Sequence, residues 1–124
     1  MVNEDAIITE YENRQAFLDA IKSNDSLLII KFRATWCRPC RKIKDMVSKH
    51  FANMPDDVLC ADVDVDDNFD LYAYLKSKKM VRGLPVILCY KGENNMFAPD
   101  DAVEGADEKD INDFFERCRG YLKN

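Results

Sequence analysis

Two cysteines separated by an arginine and a proline, in the run Trp36-Cys37-Arg38-Pro39-Cys40, are the residues of this chain best suited to covalent chemistry. The apolar stretch before them reads as a strand and the periodic stretch after them as a helix, so the first thiol falls at a helix N-terminus. Unsatisfied backbone N–H groups and the helix dipole favour a thiolate there. Cysteines so placed titrate at about 3.5–7.5 rather than ~8.5. Arg38 and Arg41 push in the same direction, subject to screening by salt. Cys37 is therefore the candidate nucleophile. Cys40, one helical turn on, is near enough to attack a mixed disulfide formed at Cys37 and release the reduced partner. Pro39 suits the first turn of the helix, where its missing N–H has no intrahelical acceptor to lose. A structural zinc site would need four ligands. The one histidine, His50, and the scattered Cys60, Cys89 and Cys118 do not supply them, so no metal is expected.

The elements that must position this pair can be read from periodicity. Ile7 to Thr9 predicts a short edge strand. Asn13 predicts the N-cap of a helix burying Phe17, Leu18 and Ile21. Leu27 to Arg33 predicts a central strand buried on both faces. After the cysteines, Ile43, Met46, Val47 and His50 or Phe51 recur at helical spacing. Val58 to Val65 predicts a further strand, and Asn68 the cap of a helix bearing Phe69, Tyr72 and Leu75. Val86 to Tyr90, a turn at Lys91–Asn95 and a short strand near Ala102 follow. Asp107 then caps a helix with Ile111, Phe114, Phe115, Cys118 and Leu122 on one face. The order β-α-β-α-β-α-β-β-α implies a mixed sheet with helices on both faces. The Phe and Tyr positions follow these periods and read as core.

Length and composition set the frame. A chain of 124 residues with 47% hydrophobic and 33% charged residues fits a single globular domain spanning 1-124. The formal charge of −5 argues against nonspecific nucleic-acid binding. Leu27 to Ile30 is the longest apolar run, far short of a membrane span. Five cysteines cannot all pair within one chain and show no framework spacing, which points to a reducing compartment with one redox pair. Met1–Asp5 has no basic n-region and no apolar stretch follows, so a cytoplasmic monomer is expected; a mature chain after signal removal would read the same. Positive charge gathers near the cysteines, at Lys31, Arg33, Arg38, Arg41, Lys42 and Lys44. This is either a solvated helix face or a locally positive site.

The segment Phe32–Lys42, with its Trp-Cys-Arg-Pro-Cys core, resembles the active-site run of the thioredoxin family, particularly the eukaryotic cytosolic type. Asp62–Asp67 is similar to the family's acidic third-strand run, Val81–Val86 to its cis-proline segment, Lys91–Glu93 to its hairpin and Val103–Ala106 to its last loop. The likeness covers almost the whole chain in the right order. It implies a thioredoxin fold, a central mixed five-stranded sheet flanked by four helices. It further implies a cis Pro85 beside Cys37, with the Leu84 backbone open to an extended substrate segment. Trp36, Leu84, Gly105 and Ala106 would form an apolar rim, with Arg38 and Pro39 bordering the same groove. The activity implied is reduction of protein disulfides. No bound cofactor is needed, and electrons would come from NADPH through a reductase. An oxidase or isomerase of the same fold, and a binding module with incidental thiols, are the alternatives.

Three positions depart from the family pattern. Members usually carry a buried Asp where this chain has Lys31, and some pair it with a Lys at the position of Asp62. Lys31 is thus expected either to pair with Asp62 within about 6 Å, with the charges exchanged, or to reach water along its stem. Asp62 or Asp64 would then assist proton transfer to or from Cys40. Arg38 replaces a small Gly and adds charge beside Cys37. Asp45 stands where many members have a kinking Pro, so a straighter helix is expected. The segment 94–102 is longer than the usual hairpin connection, and reads as a packed loop or an added partner surface.

Overall fold

The computed structural model describes residues 6–122. Four strands, β1 (Leu27–Arg33), β2 (Leu59–Asp64), β3 (Val86–Lys91) and β4 (Asp101–Glu104), form one sheet in the order β2-β1-β3-β4. β1 runs parallel to β2 and antiparallel to β3, and β3 runs antiparallel to β4. The apolar run Leu27–Ile30 therefore sits in the middle of a mixed sheet, buried on both faces.

Alternation along β1 divides the core in two. Leu28, Ile30 and Phe32 pack with Phe17 and Ile21 of α1 (Arg14–Ser23) and with Leu71 and Leu75 of α4 (Phe69–Ser77). On the opposite face, Leu27 and Ile29 meet Val47 and Phe51 of α3 (Lys44–Ala52). Ile111, Phe114, Phe115 and Cys118 of α5 (Glu108–Gly120) complete that cluster. Asn13 and Asp107 cap α1 and α5 as their sequences predict, accepting from Ala16 N and Asp110 N at 2.9 Å each.

Among the described residues the sheet has four strands rather than five. The segment at Ile8 makes a single parallel bridge to Ala61, with Ile8 N–H donating to Cys60 O and Asp62 N–H to Ile8 O. Pairing stops there because the chain turns away, and Tyr11 N–H donates to the Asn68 side chain at 2.8 Å. That side chain is consequently committed: its Nδ2 donates to Asp64 O, and it does not cap α4.

The helix after the cysteines is broken, not straight. It divides at Ile43 (φ −102°, ψ 2°) into α2 (Arg38–Lys42) and α3, giving five helices among the described residues. No proline or glycine lies there. The break follows the core instead, because Cys40 is buried in the first cluster whereas Ile43, Val47 and Phe51 are buried in the second.

The segment between β3 and β4 is a packed loop. Tyr90 Oη donates to Phe97 O at 2.7 Å, the Asn94 amide to Ala98 O at 2.8 Å, and the Phe97 ring meets Tyr74 edge-on. At its start, Gly92 lies so near Asp25 that a Cβ would come within 2.7 Å of a backbone carbon.

Candidate active site

Cys37 is the N-cap of α2, and Pro39 lies in the helix's first turn. The two cysteines are joined by a disulfide, with Cα atoms 5.3 Å apart, within the range that a disulfide spans. Cys40 N–H donates to Cys37 Sγ at 3.3 Å, so the nucleophilic sulfur is also the helix-capping acceptor. Cys37 and Cys40 retain 6% and 3% exposure, while Arg38 and Pro39 are exposed beside them. Cys37 thus opens to solvent at one edge and Cys40 lies beneath it.

Cys37 borders a surface groove with Trp36, Asp66, Phe69, Tyr72 and Leu84. Trp36 is 67% exposed and anchored by its indole N–H, which donates to Asp66 at 3.0 Å. The Leu84–Pro85 peptide is cis, and Pro85 O accepts from Gly105 N–H at 2.9 Å. Gly105 takes φ +90°, a conformation that favours glycine. Gly105 therefore braces Pro85, whereas Ala106 packs half-buried against the second core cluster. Neither is among the residues lining the groove, and nor are Arg38, Pro39 and Pro85, whereas Trp36 and Leu84 are.

Phe69 is a correction to the expected core. It is 71% exposed at the start of α4, whose buried positions are Leu71 and Leu75. With Trp36 it gives the groove two solvent-facing aromatic rings. Periodicity does place Phe69 three residues before Tyr72 on one helical face, but says nothing of the open end of that face.

On the other side of Cys40, the parallel register puts Lys31 opposite Asp62 and Arg33 opposite Asp64. Lys31 follows Leu27 and Ile29 on the second-cluster face and is fully buried, so it does not reach water. Its ammonium stands 3.5 Å from Asp62 Oδ2 and makes no hydrogen bond within the described residues. Burial lowers the Lys31 pKa; Asp62 opposes this, and repulsion from Arg33 and Lys44 reinforces it. Arg33 holds Asp62 Oδ1 at 2.9 Å and Asp64 Oδ2 at 3.4 Å. Two cations and two carboxylates thus alternate, of which Lys31, Arg33 and Asp62 line a cleft with Cys40.

The remaining candidate groups lie elsewhere. Cys60, Cys89 and Cys118 are buried free thiols. Burial pushes the Cys60 thiol up to about 12, and a hydrogen bond with Cys89 together with burial raises Cys118 further. His50 is stacked on Phe115 at the end of α3, between Asn112 and Arg119, away from the disulfide. No three His, Cys, Asp or Glu side chains converge as metal ligands among the described residues.

The profile of the Thioredoxin family matches residues 8–117. The chain belongs to the thioredoxin family. It is 31% identical to thioredoxin 3 of Plasmodium falciparum over 92% of its own length, spanning 61% of that relative. It is 33% identical to thioredoxin-2 of Saccharomyces cerevisiae, over 69% of this chain and 78% of that one. The solved structure of Trichomonas vaginalis thioredoxin is similar, with a TM-score of 0.71 and 30% identity, covering 92% of this chain and 98% of the other. With its Cys37–Cys40 pair, this thioredoxin-family chain is a thiol–disulfide oxidoreductase, of the type that reduces protein disulfides.

Proposed function

We propose that the protein works as a cytoplasmic electron donor to disulfide-containing protein substrates and is itself reduced by an NADPH-dependent reductase. The observation that carries this reading is the position of Cys37, at once the cap of α2 and a wall of the aromatic groove. An extended substrate segment would lie in the groove along Leu84 and Pro85, between Trp36 and Phe69, pairing through backbone as an added strand does. Arg38 and Pro39 would contact it from the α2 side.

The Cys37 thiolate attacks one substrate sulfur. The substrate S–S bond breaks, and its second sulfur departs as a thiolate that takes up a proton. Cys40, deprotonated, then attacks Cys37 Sγ in the mixed disulfide. The Cys37–substrate bond breaks, the attacked substrate sulfur leaves as a thiolate that takes a proton from water, and the Cys37–Cys40 bond forms, so two electrons have passed to the substrate. Asp62 or Asp64, or water between them, would receive the Cys40 proton.

Insulin reduction, first with dithiothreitol and then with NADPH and a thioredoxin reductase, tests this directly. Turnover in both is expected; none in either would leave only a binding module. Cys40→Ser is expected to hold substrates on Cys37 as stable mixed disulfides, seen as adducts that dithiothreitol releases.

The buried ammonium at Lys31 favours a second direction of electron flow, because a nearby cation stabilises the reduced thiolate and raises the potential. Relative to Lys31→Asp, the wild-type chain should show a lower Cys37 pKa and a more oxidising potential. Thiol titration and equilibration with glutathione measure both. Equal values in the two proteins would remove Lys31 from the tuning of this site.

A further inference from the structure

Behind Cys40, apart from the aromatic groove, lies a cleft of about 330 Å³ whose lining includes Lys31, Arg33, Cys40, Arg41, Lys44 and Asp62. Its volume would hold roughly ten waters, ample for a tetrahedral oxyanion with some of its hydration. Lys31 lies at its floor, with no surface open to water. Its ammonium has three N–H donors yet makes no hydrogen bond among the described residues, and its carboxylate contact at 3.5 Å is long. Asp62 cannot satisfy it fully, since the other Asp62 oxygen is held by Arg33 at 2.9 Å.

The charge count points the same way. Asp62 and Asp64 offset Lys31 and Arg33, whereas Arg41 and Lys44, exposed at the mouth, meet no carboxylate among the described residues. Arg41 is held in place by donating from Nη1 to Thr35 O at 2.7 Å. A buried ammonium short of hydrogen bonds is costly, and charge-assisted bonds to an anion would offset that cost.

We propose that this cleft is a binding site for a compact oxyanion, of phosphate or carboxylate type, seated between Arg41 and Lys44, toward which the Lys31 ammonium, buried in this structure, turns on its flexible four-carbon stem. The site adjoins Cys40, so its occupancy is linked to the redox state. A bound anion opposes the thiolate of the reduced protein and has no such conflict with the neutral disulfide. The oxidised form therefore binds it more tightly, and by reciprocity the anion lowers the reduction potential.

Nuclear magnetic resonance titration of the full chain with sodium phosphate, and separately with acetate, tests the site. Chloride at matched ionic strength serves as the reference. Saturable amide shifts are expected at residues 31–44 and 62, and the phosphate and acetate arms identify the preferred anion. Lys31→Met should abolish them, and Lys44→Gln, at an exposed position, should weaken binding with the fold undisturbed. Phosphate affinity should fall by about fivefold or more on reduction, the low end of ordinary coupling between sites. For a two-electron couple a fivefold ratio corresponds to a potential lowered by about 20 mV at saturation. Shifts no larger than those in chloride, shifts that survive both substitutions, or equal affinity in the two redox states would overturn the proposal. Binding to the oxidised form is measured without turnover, so its failure is distinguishable from a failure to reduce insulin.

Discussion

Lys31 is a charged side chain where the alternation of β1 calls for an apolar one, and its energetic consequence depends on pH. At neutral pH it carries the cost of a buried ammonium, and Arg33 remains to satisfy Asp62 if Lys31 is removed. Replacing buried ion pairs by apolar groups is often neutral or stabilising by about 1–4 kcal/mol. Lys31→Met is accordingly expected to raise stability at pH 7 by about 1 kcal/mol, at the low end of that range. The sign of the pH dependence follows from the lowered pKa. Between the folded value and the ordinary lysine value of 10.5, the unfolded chain binds the extra proton, so wild-type stability gains on the variant as pH rises. Urea denaturation of both proteins should show the gap closing towards pH 10.5. The raised pKa values of Tyr11 and Cys60 are common to both proteins and cancel in the comparison.

At the scale of elements, the polar contacts that join the C-terminal end of α5 to the sheet edge converge on one carboxylate. Asp101 of β4 accepts two bonds from the Arg117 guanidinium, at 2.8 and 3.0 Å, and one from Tyr121 Oη at 2.7 Å. Burial alone would raise its pKa, but these bonds, with that from Ala102 N–H, hold it below the ordinary 3.8. Its contribution is therefore present above that value and is lost as pH falls through the lower folded one. Asp101→Asn should cost about 1.5 kcal/mol at pH 7, the magnitude of hydrogen bonds to a charged group. The difference should vanish below the folded value, as acid and urea titrations would reveal. Most elements were legible in the sequence because a single signal controls each. Asn13 and Asp107 announce caps, and Leu27–Ile30 a strand buried on both faces. The break at Ile43 was not legible, because it reflects which of two core clusters each residue enters, and spacing along one helix carries no such information. Asn68 misled for a related reason, its side chain being committed to Tyr11 and Asp64 instead of its own helix. The cysteines and Pro85 could be located from motif order, whereas Phe69 became a groove residue only through tertiary placement.

Across the whole molecule, the active-site end and the core are separable. Phe115 lies in the second cluster, packed edge-on to Phe51 and Phe114 and stacked on His50. Phe115→Ala should lower stability by about 3–5 kcal/mol, read as a reduced urea midpoint with the slope unchanged. The disulfide rests in the other cluster, so the folded fraction of that variant should keep its insulin activity per molecule. The charge distribution is also divided: in a chain of net charge −5, the cleft beside Cys40 sets Lys31, Arg33, Arg41 and Lys44 against Asp62. A partner carrying negative charge would be drawn to that end against the average field, and its association rate should fall with salt.

The capping bond from Cys40 N–H to Cys37 Sγ makes a particular substitution informative. Serine is among the best N-cap residues and has no redox chemistry of its own. Cys37→Ser would thus supply an oxygen acceptor at the start of α2 while leaving Cys40 without a disulfide partner there. The result would be a folded, electron-silent copy of the protein, in which the groove and the cleft can be studied as recognition surfaces alone.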